Sequence, residues 1–369
     1  MTGDWYSRPE ARRWRCEPPS TDPARFHASL PGYRATELVE VPALARKLGA
    51  GRVFVKDESG RLSLGAFKVL GASWAVARAL AGAAEVSDFA ELRLIAAPTH
   101  LELVTATDGN HGRAVAYLGR LLGLRASVFI PDAAPPAAVA GIAAEGATVT
   151  VVSQPYDQAV EQAARYADAS PDRVLVQDTA WPGYEQVPGW IVEGYETLLS
   201  EVDAQLRERG LGGPDLVSVP VGVGSLAQAV VTHYRSGPPE PSPGSVVLAV
   251  EPQAAPCLLA SLLAGEYRSI ETGPTVMAGL NCGTASSLAW PVLTAGLDAA
   301  IAVPDEAAEA AVADLAANGI LAGPSGAASL AGARVALTGE GAVGRRAELG
   351  VTPSSVLVLL STEGKFAPG

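Results

Sequence analysis

Only four lysines occur in the 369 residues, at 47, 56, 68 and 365, so chemistry that needs an amine has four candidates. Lys47 falls on the polar face of a short helical stretch and Lys365 in the C-terminal tail, where each reads as a solvated charge. Lys56, in FVKDES, ends an apolar run beside Asp57 and Glu58 and is expected to pair with them. Lys68 differs. In SLGAFKVLGASWAVARAL it stands at a helix start among Gly65, Ala66, Phe67, Val69, Leu70, Gly71 and Ala72. Desolvation in such surroundings disfavours the charged form of an amine and exposes a nucleophile. The same stretch equally suits a helix-face lysine that snorkels to water.

Four further segments carry groups of interest. In TATDGNHGRAVAYLGRLLG a strand ends near Ala106, and Thr107 or Asp108 caps a helix. The amides there can hold a carboxylate, with Asp108 and Asn110 projecting above the strand end; His111 is expected inside the helix rather than as a base. In LVSVPVGVGSLAQAVV, a strand–glycine–helix turn at Gly222, Gly224 and Ser225 can wrap an anion. Gly222-x-Gly224-x-x-Ala227 also loosely matches the dinucleotide fingerprint, with Glu251 where a ribose-binding acid could sit. A cofactor phosphate is common to both readings. VLVLLSTEG breaks a buried strand at Ser361, Thr362 and Glu363, whose hydroxyls face a ligand or cap a turn. VLVQDTAWPGYEQVPGW places Asp178 just past a strand near Trp181 and Tyr184, as a helix cap or an acid/base group.

These groups must be positioned by a chain that is 48% hydrophobic and 18% charged, with a net charge of −12. A field of that sign repels phosphate backbones and anionic lipid, which excludes a nucleic-acid binder and a basic membrane-surface protein. Cys16, Cys257 and Cys282 lie far apart without CxxC spacing, and the four histidines lack i, i+4 pairing, so neither a disulfide framework nor a metal site is expected. No secretory h-region opens the sequence, and the charge-free stretch Thr272 to Leu297 is interrupted by prolines and glycines; a cytoplasmic protein is expected.

Nine apolar, β-branched runs alternate with Ala/Leu-rich helical patterns: Val53 to Lys56, Leu103 to Ala106, Ala126 to Ile130, Thr148 to Val152, Val174 to Gln177, Leu216 to Val221, Val246 to Glu251, Ala299 to Val303 and Ser355 to Leu360. This alternation predicts an α/β fold of mostly parallel sheets with right-handed crossovers. Three strand–helix repeats between Leu103 and Ala167 predict a small domain, 102–200, set into a large discontinuous one, 1–101 and 201–369. Residues 1–35 are expected as an arm on the surface or on a partner subunit.

Taken together, KDESGRLSLGAFKVLGASWA (Lys56 to Ala75), TDGNHGRAVA (Thr107 to Ala116), VQDTAWPGYEQVPGWIVEGYETL (Val176 to Leu198), the turn Gly222 to Ser225, TVMAGLNCG (Thr275 to Gly283) and LLSTEG (Leu359 to Gly364) resemble the pyridoxal-phosphate enzymes of the tryptophan-synthase-β-like family, fold type II. QDTAWxGYE and AFKVLG are similar to its diaminopropionate ammonia-lyase branch. The resemblance implies two domains, each an open, mostly parallel sheet covered by helices. It implies a homodimer that takes pyridoxal 5′-phosphate and a small amino-acid substrate.

By the same resemblance Lys68 would be joined covalently to the coenzyme, beside Phe67. Asn110 would hydrogen-bond its 3-hydroxyl, Gly222, Val223, Gly224 and Ser225 its phosphate, and Ser361 or else Thr362 its pyridine nitrogen. Thr107, Asp108, Gly109 and Asp178 would meet the substrate. Lys68 would take the Cα proton of one enantiomer and Asp108 that of the other, with Asp178 orienting the β-ammonium. The implied reaction is α,β-elimination of ammonia from 2,3-diaminopropionate, or a related β-substituted alanine, giving aminoacrylate and then pyruvate and ammonia. Two positions depart from the family's pattern: Gly65 replaces an Asn before Ala-Phe-Lys, and Pro324 replaces a Glu before Ser-Gly-Ala. A serine/threonine dehydratase or β-replacement enzyme of the same fold, a nicotinamide-dependent oxidoreductase and a decayed coenzyme-binding paralogue are the alternatives.

Overall fold

Val, Ile, Leu and Ala runs without interspersed charge suit strands of parallel sheets, and each of the nine forms a strand, most of them buried and Thr148–Val152 an exposed edge. The structure is a computed structural model that describes residues 3–18, 20–82, 86–107, 109–154, 156–237 and 244–365. The strands are β1 (Trp5–Ser7), β2 (Leu38–Glu40), β3 (Arg52–Asp57), β4 (Glu102–Ala106), β5 (Arg125–Pro131), β6 (Thr148–Val152), β7 (Arg173–Leu175), β8 (Leu216–Pro220), β9 (Val246–Pro252), β10 (Ala299–Val303) and β11 (Val356–Ser361). They fall into two packed units.

The first unit comprises Met1–Ser20, Ala35–Ser59 and Leu198–Lys365. Its sheet runs β1-β10-β9-β8-β11-β3-β2, and β10 to β3 are mutually parallel. The registers Leu357↔Leu216 and Leu216↔Val246 align aliphatic side chains across the sheet. The helix Pro324–Leu337, built almost wholly of Ala, Gly and Ser with two leucines, is buried along most of its length. Its small residues let it lie close on the sheet: a Cβ at Gly332 would come within 2.2 Å of Val250 Cγ2.

Both edges are antiparallel, and the sequence pattern shows neither, because three-residue strands carry no measurable period. The start of the segment expected as an arm on the surface or on a partner subunit adds an edge strand to this sheet. Trp5–Ser7 pairs with β10, while Trp5 Nε1 and Ser7 Oγ both donate to Glu348.

The second unit comprises Thr21–Arg34 and Gly60–Thr197. Its sheet, β6-β5-β4-β7, is parallel throughout and is joined by the helices Asn110–Leu122, Pro136–Ala144 and Tyr156–Asp168. The unit begins about forty residues earlier than the 102 expected from the strand–helix repeats. The reason is a helix pair. Lys68–Ala81 packs on Gln186–Gly194, where a Cβ at Gly71 would stand 2.6 Å from Tyr195 Cε1 and 2.8 Å from the Ile191 carbonyl. At Gly194 a Cβ would stand 2.6 Å from the Leu70 carbonyl. Glycine on both helices thus permits backbone contact and binds the Lys68 segment to this unit. His27 fastens Thr21–Arg34 to the same place, with Nδ1 2.7 Å from Thr197 Oγ1 and Nε2 2.9 Å from the Leu70 carbonyl.

Candidate active site

Lys68 opens the helix Lys68–Ala81, a position where the helix dipole disfavours a cation. The chain reaches it through Leu62 and Ser63 in left-handed conformations, φ 48° and 60°, and Gly65 at φ 81°. Such values are costly for residues with a side chain and cluster at functional sites. The Lys68 side chain is about one-fifth exposed, and its Nζ lies 2.6 Å from Asp178 Oδ2 and 5.4 Å from the centre of the Phe67 ring.

Asp178 follows β7 and is nearly fully buried. Burial pushes its carboxyl up, but the charges of Lys68 and His111 and the hydrogen bonds from Lys68 and Tyr156 hold it down at about 2. Oδ1 accepts from Tyr156 Oη at 3.4 Å and Gln177 Nε2 at 3.3 Å. Gln177 is itself locked. Its Oε1 accepts from Thr105 Oγ1 and the Ala106 amide, its Nε2 also donates to Tyr156, and its own amide donates to Tyr184 Oη. The acid is therefore aimed by a polar lattice tied to the end of β4.

His111, expected to sit quietly inside its helix, is buried within reach of both charges. Burial lowers its pKa, Asp178 raises it and Lys68 lowers it further, the net shift being downward. Nε2, 2.7 Å from the Val176 carbonyl, carries the proton; Nδ1 is buried with no hydrogen-bond partner among the described residues. Thr107 Oγ1 accepts from the amides of Gly109 and Gly112, each at 2.9 Å, and so caps the helix Asn110–Leu122. Asp108 lies outside the described residues; Asn110 is the first residue of the helix.

In the first unit, β8 runs into Gly222, Val223 and Gly224, and Ser225 opens the helix Ser225–Arg235. Gly224 is left-handed at φ 95°, and a Cβ on Gly222 would press to 3.2 Å on Cys282 Sγ and the Gly279 carbonyl. Bare backbone at a helix start offers amides to a phosphate. At the end of β11, Ser361 is wholly buried and its Oγ has no hydrogen-bond partner among the described residues; Thr362 follows it, 4% exposed. A buried orphan hydroxyl is costly unless a ligand atom satisfies it, and a pyridine nitrogen would. Within the first unit the anion turn and the orphan hydroxyl are of the kinds that a phosphate and a pyridine nitrogen take, and within the second the Lys68 amine is of the kind an aldehyde takes, so the residue types present fit pyridoxal phosphate.

Two expectations are corrected. Glu251 is no ribose acid: its carboxylate is fully buried and accepts the amides of Leu258 and Leu259 at 2.8 and 2.7 Å, capping the helix Cys257–Ala264. The nicotinamide alternative loses its acid. Lys56 does not pair with Asp57; fully buried, it donates to Glu201 Oε2 at 2.6 Å and to the Thr36 carbonyl at 2.8 Å. Successive side chains of a strand point to opposite faces, which takes Asp57 away from it. Among the described residues no group of three or more His, Cys, Asp or Glu could hold a metal ion, and no helix is long and apolar enough to cross a membrane.

Residues 30–358 match the family model of pyridoxal-phosphate dependent enzymes. The chain belongs to this family. Family members similar to it include the diaminopropionate ammonia-lyases of Salmonella typhimurium, 39% identical over 73% of this chain and 68% of that one, and of Escherichia coli K12, 36% identical over the same shares. The Escherichia coli enzyme solved with an aminoacrylate-PLP azomethine reaction intermediate superposes with a TM-score of 0.82 at 31% identity, covering 93% of this chain and 88% of that one. A threonine deaminase from T.th. superposes with a TM-score of 0.71 at 27% identity, over 92% and 96%. The family is one of fold type II, and its coenzyme is pyridoxal phosphate.

Proposed function

We propose that this chain eliminates ammonia from 2,3-diaminopropionate or a closely related β-substituted alanine. Lys68 would hold the coenzyme covalently, flanked by Phe67. Asn110 would meet the 3-hydroxyl, the amides of Gly222, Val223, Gly224 and Ser225 the phosphate, and Ser361 or Thr362 the pyridine nitrogen. When bound, pyridoxal phosphate supplies the electron withdrawal that makes a Cα proton removable.

The observation that carries the choice of substrate is an ionised carboxylate, Asp178, 2.6 Å from the Lys68 amine. With its carboxyl held at about 2, Asp178 is a poor proton donor and a good partner for a cation. A β-hydroxyl has to be protonated before it leaves, whereas a β-ammonium takes the C–N electron pair and departs as neutral ammonia. An acid that stays ionised therefore suits an ammonium substrate. Lys68 removes the Cα proton, the Cβ–N bond breaks, and the released aminoacrylate hydrolyses to pyruvate and a second ammonia. Asp108 serves as the base for the other enantiomer, with Thr107 and Gly109 lining the substrate's carboxylate.

The name of the Escherichia coli relative, and its structure with D-serine, which superposes with a TM-score of 0.83 at 28% identity, support an amino-acid substrate. Pyruvate release measured side by side on D- and L-diaminopropionate, serine and threonine tests the reading; serine or threonine as the preferred substrate overturns it in favour of a dehydratase. A cytoplasmic homodimer completes the proposal, and sedimentation of the purified protein checks the dimer.

A further inference from the structure

One polar atom beside Lys68 is left unexplained by this reading. Tyr195 follows directly on the helix Gln186–Gly194, is fully buried, and packs its ring 4.7 Å from that of Phe67 and against Gly71, one turn along from Lys68. Its hydroxyl makes no close hydrogen bond among the described residues, and Lys68 is the side chain near enough to share one. Phenylalanine would fill the same space without burying an unsatisfied polar atom, so packing alone does not account for a tyrosine. Burial holds its phenol far above the usual range, Asp178 adding to this and the charge of Lys68 and a side-chain hydrogen-bond interaction with it countering, so the group is a neutral hydroxyl within reach of the amine.

We propose that Tyr195 is a positioning residue for Lys68, its hydroxyl accepting a hydrogen bond from the amine so that the amine is held at two points, Asp178 and Tyr195. Among the described residues, the groups that face this amine include Asp178, His111, the Phe67 ring and the Tyr195 hydroxyl. An ammonium has three N–H donors and Asp178 Oδ2 takes one of them. With a second taken by Tyr195, an amine released during turnover stays docked for reattachment instead of swinging on a flexible four-carbon stem. The inference rests on Lys68 being the coenzyme lysine, but its test does not.

The full-length protein is acylated across a range of pH with and without pyridoxal phosphate, and labelling of each lysine is read by peptide mass spectrometry. Lys47, exposed and paired with Asp314, is the internal reference. In Tyr195→Phe the ring remains and only the hydroxyl goes. Losing a hydrogen bond to a charged group disfavours the ammonium, so coenzyme-free Lys68 should label about tenfold faster near neutral pH, its profile moving down by about one pH unit while that of Lys47 stays. A Lys68 profile that superposes on the wild type overturns the proposal. If Tyr195→Phe does not fold, wild-type sequence carrying fluorotyrosine, a weaker acceptor of the same size, takes its place: a smaller shift in the same direction supports the proposal and none overturns it. Protection of Lys68 by pyridoxal phosphate reports separately on the coenzyme lysine, so either idea can fail without the other.

Discussion

In the proposed reaction two side chains would carry the chemistry, and their identities limit what each can do. Replacing Lys68 by alanine removes the amine that would bind the coenzyme and the base for one enantiomer; pyruvate release should fall by at least roughly 10³-fold and the visible coenzyme band should be lost from the spectrum. Asp178→Asn keeps the shape and removes the charge. It should lower kcat/KM for diaminopropionate by about 10²- to 10⁴-fold and leave the much weaker serine reaction nearly unchanged, because a neutral leaving group makes no use of the carboxylate. With the Lys68 charge beside it the carboxyl is depressed from 3.8 to about 2, and once Lys68 holds the coenzyme a β-ammonium substrate would supply that charge in its place. The acid limb of the wild-type pH profile should therefore not follow Asp178, and an acid limb that disappears in Asp178→Asn would contradict this assignment. Both residues stood out as candidates in the sequence, Lys68 by its apolar flanks and Asp178 by its place after a strand, and the structure brings them together. Tyr156, Gln177 and Tyr195 did not stand out, since each acts through partners distant in the chain that no local pattern joins.

Elements bring these groups together, and the contact of Lys68–Ala81 with Gln186–Gly194 is the one on which the site depends. Gly71→Ala puts a Cβ 2.6 Å from Tyr195 and 2.8 Å from a backbone carbonyl, and backbone cannot rotate away. The helices must part, at a cost of about 1–3 kcal/mol, and activity should drop with stability because Lys68 rides on the displaced helix. Gly141→Ala is the control. It lies inside the helix Pro136–Ala144 with its nearest neighbour, Arg113 Cδ, at an ordinary 3.6 Å, and should stabilise by about 0.5–1 kcal/mol without touching activity. Thermal melts and initial rates on both variants separate the two outcomes. Most of the parallel strands were readable because buried parallel strands are unbroken apolar runs; the exposed edge Thr148–Val152 was readable by its β-branched residues alone. The boundary at Gly60 was not, because it is set by this glycine–glycine contact across more than a hundred residues rather than by any change in local pattern. The edge strands β1 and β2 were missed for want of length.

At the scale of the whole molecule the acidic balance, −12, governs solubility more than stability, and the titration that matters for folding is internal. Glu251 is fully buried under the helix Cys257–Ala264. Burial drives its carboxyl from the ordinary 4.5 up to about 8, outweighing the two backbone amides and Cys257, which favour the charged form. The folded state therefore keeps a proton that the unfolded chain gives up, so between pH 4.5 and 8 the native state binds more protons than the unfolded one. By linkage, stability falls as pH rises through this window, with a slope of at most about 1.4 kcal/mol per unit from this one group, and levels off above pH 8, where both states are ionised. Glu251→Gln keeps an acceptor for the Leu258 and Leu259 amides and removes the proton equilibrium. Urea unfolding of the coenzyme-loaded protein at pH 5, 6.5 and 8 should show the wild type losing stability relative to the variant across the series, with the two curves parallel only above pH 8. A difference that stays constant from pH 5 to 8 would mean that Glu251 is ionised in the folded protein, and that the two amides outweigh burial after all.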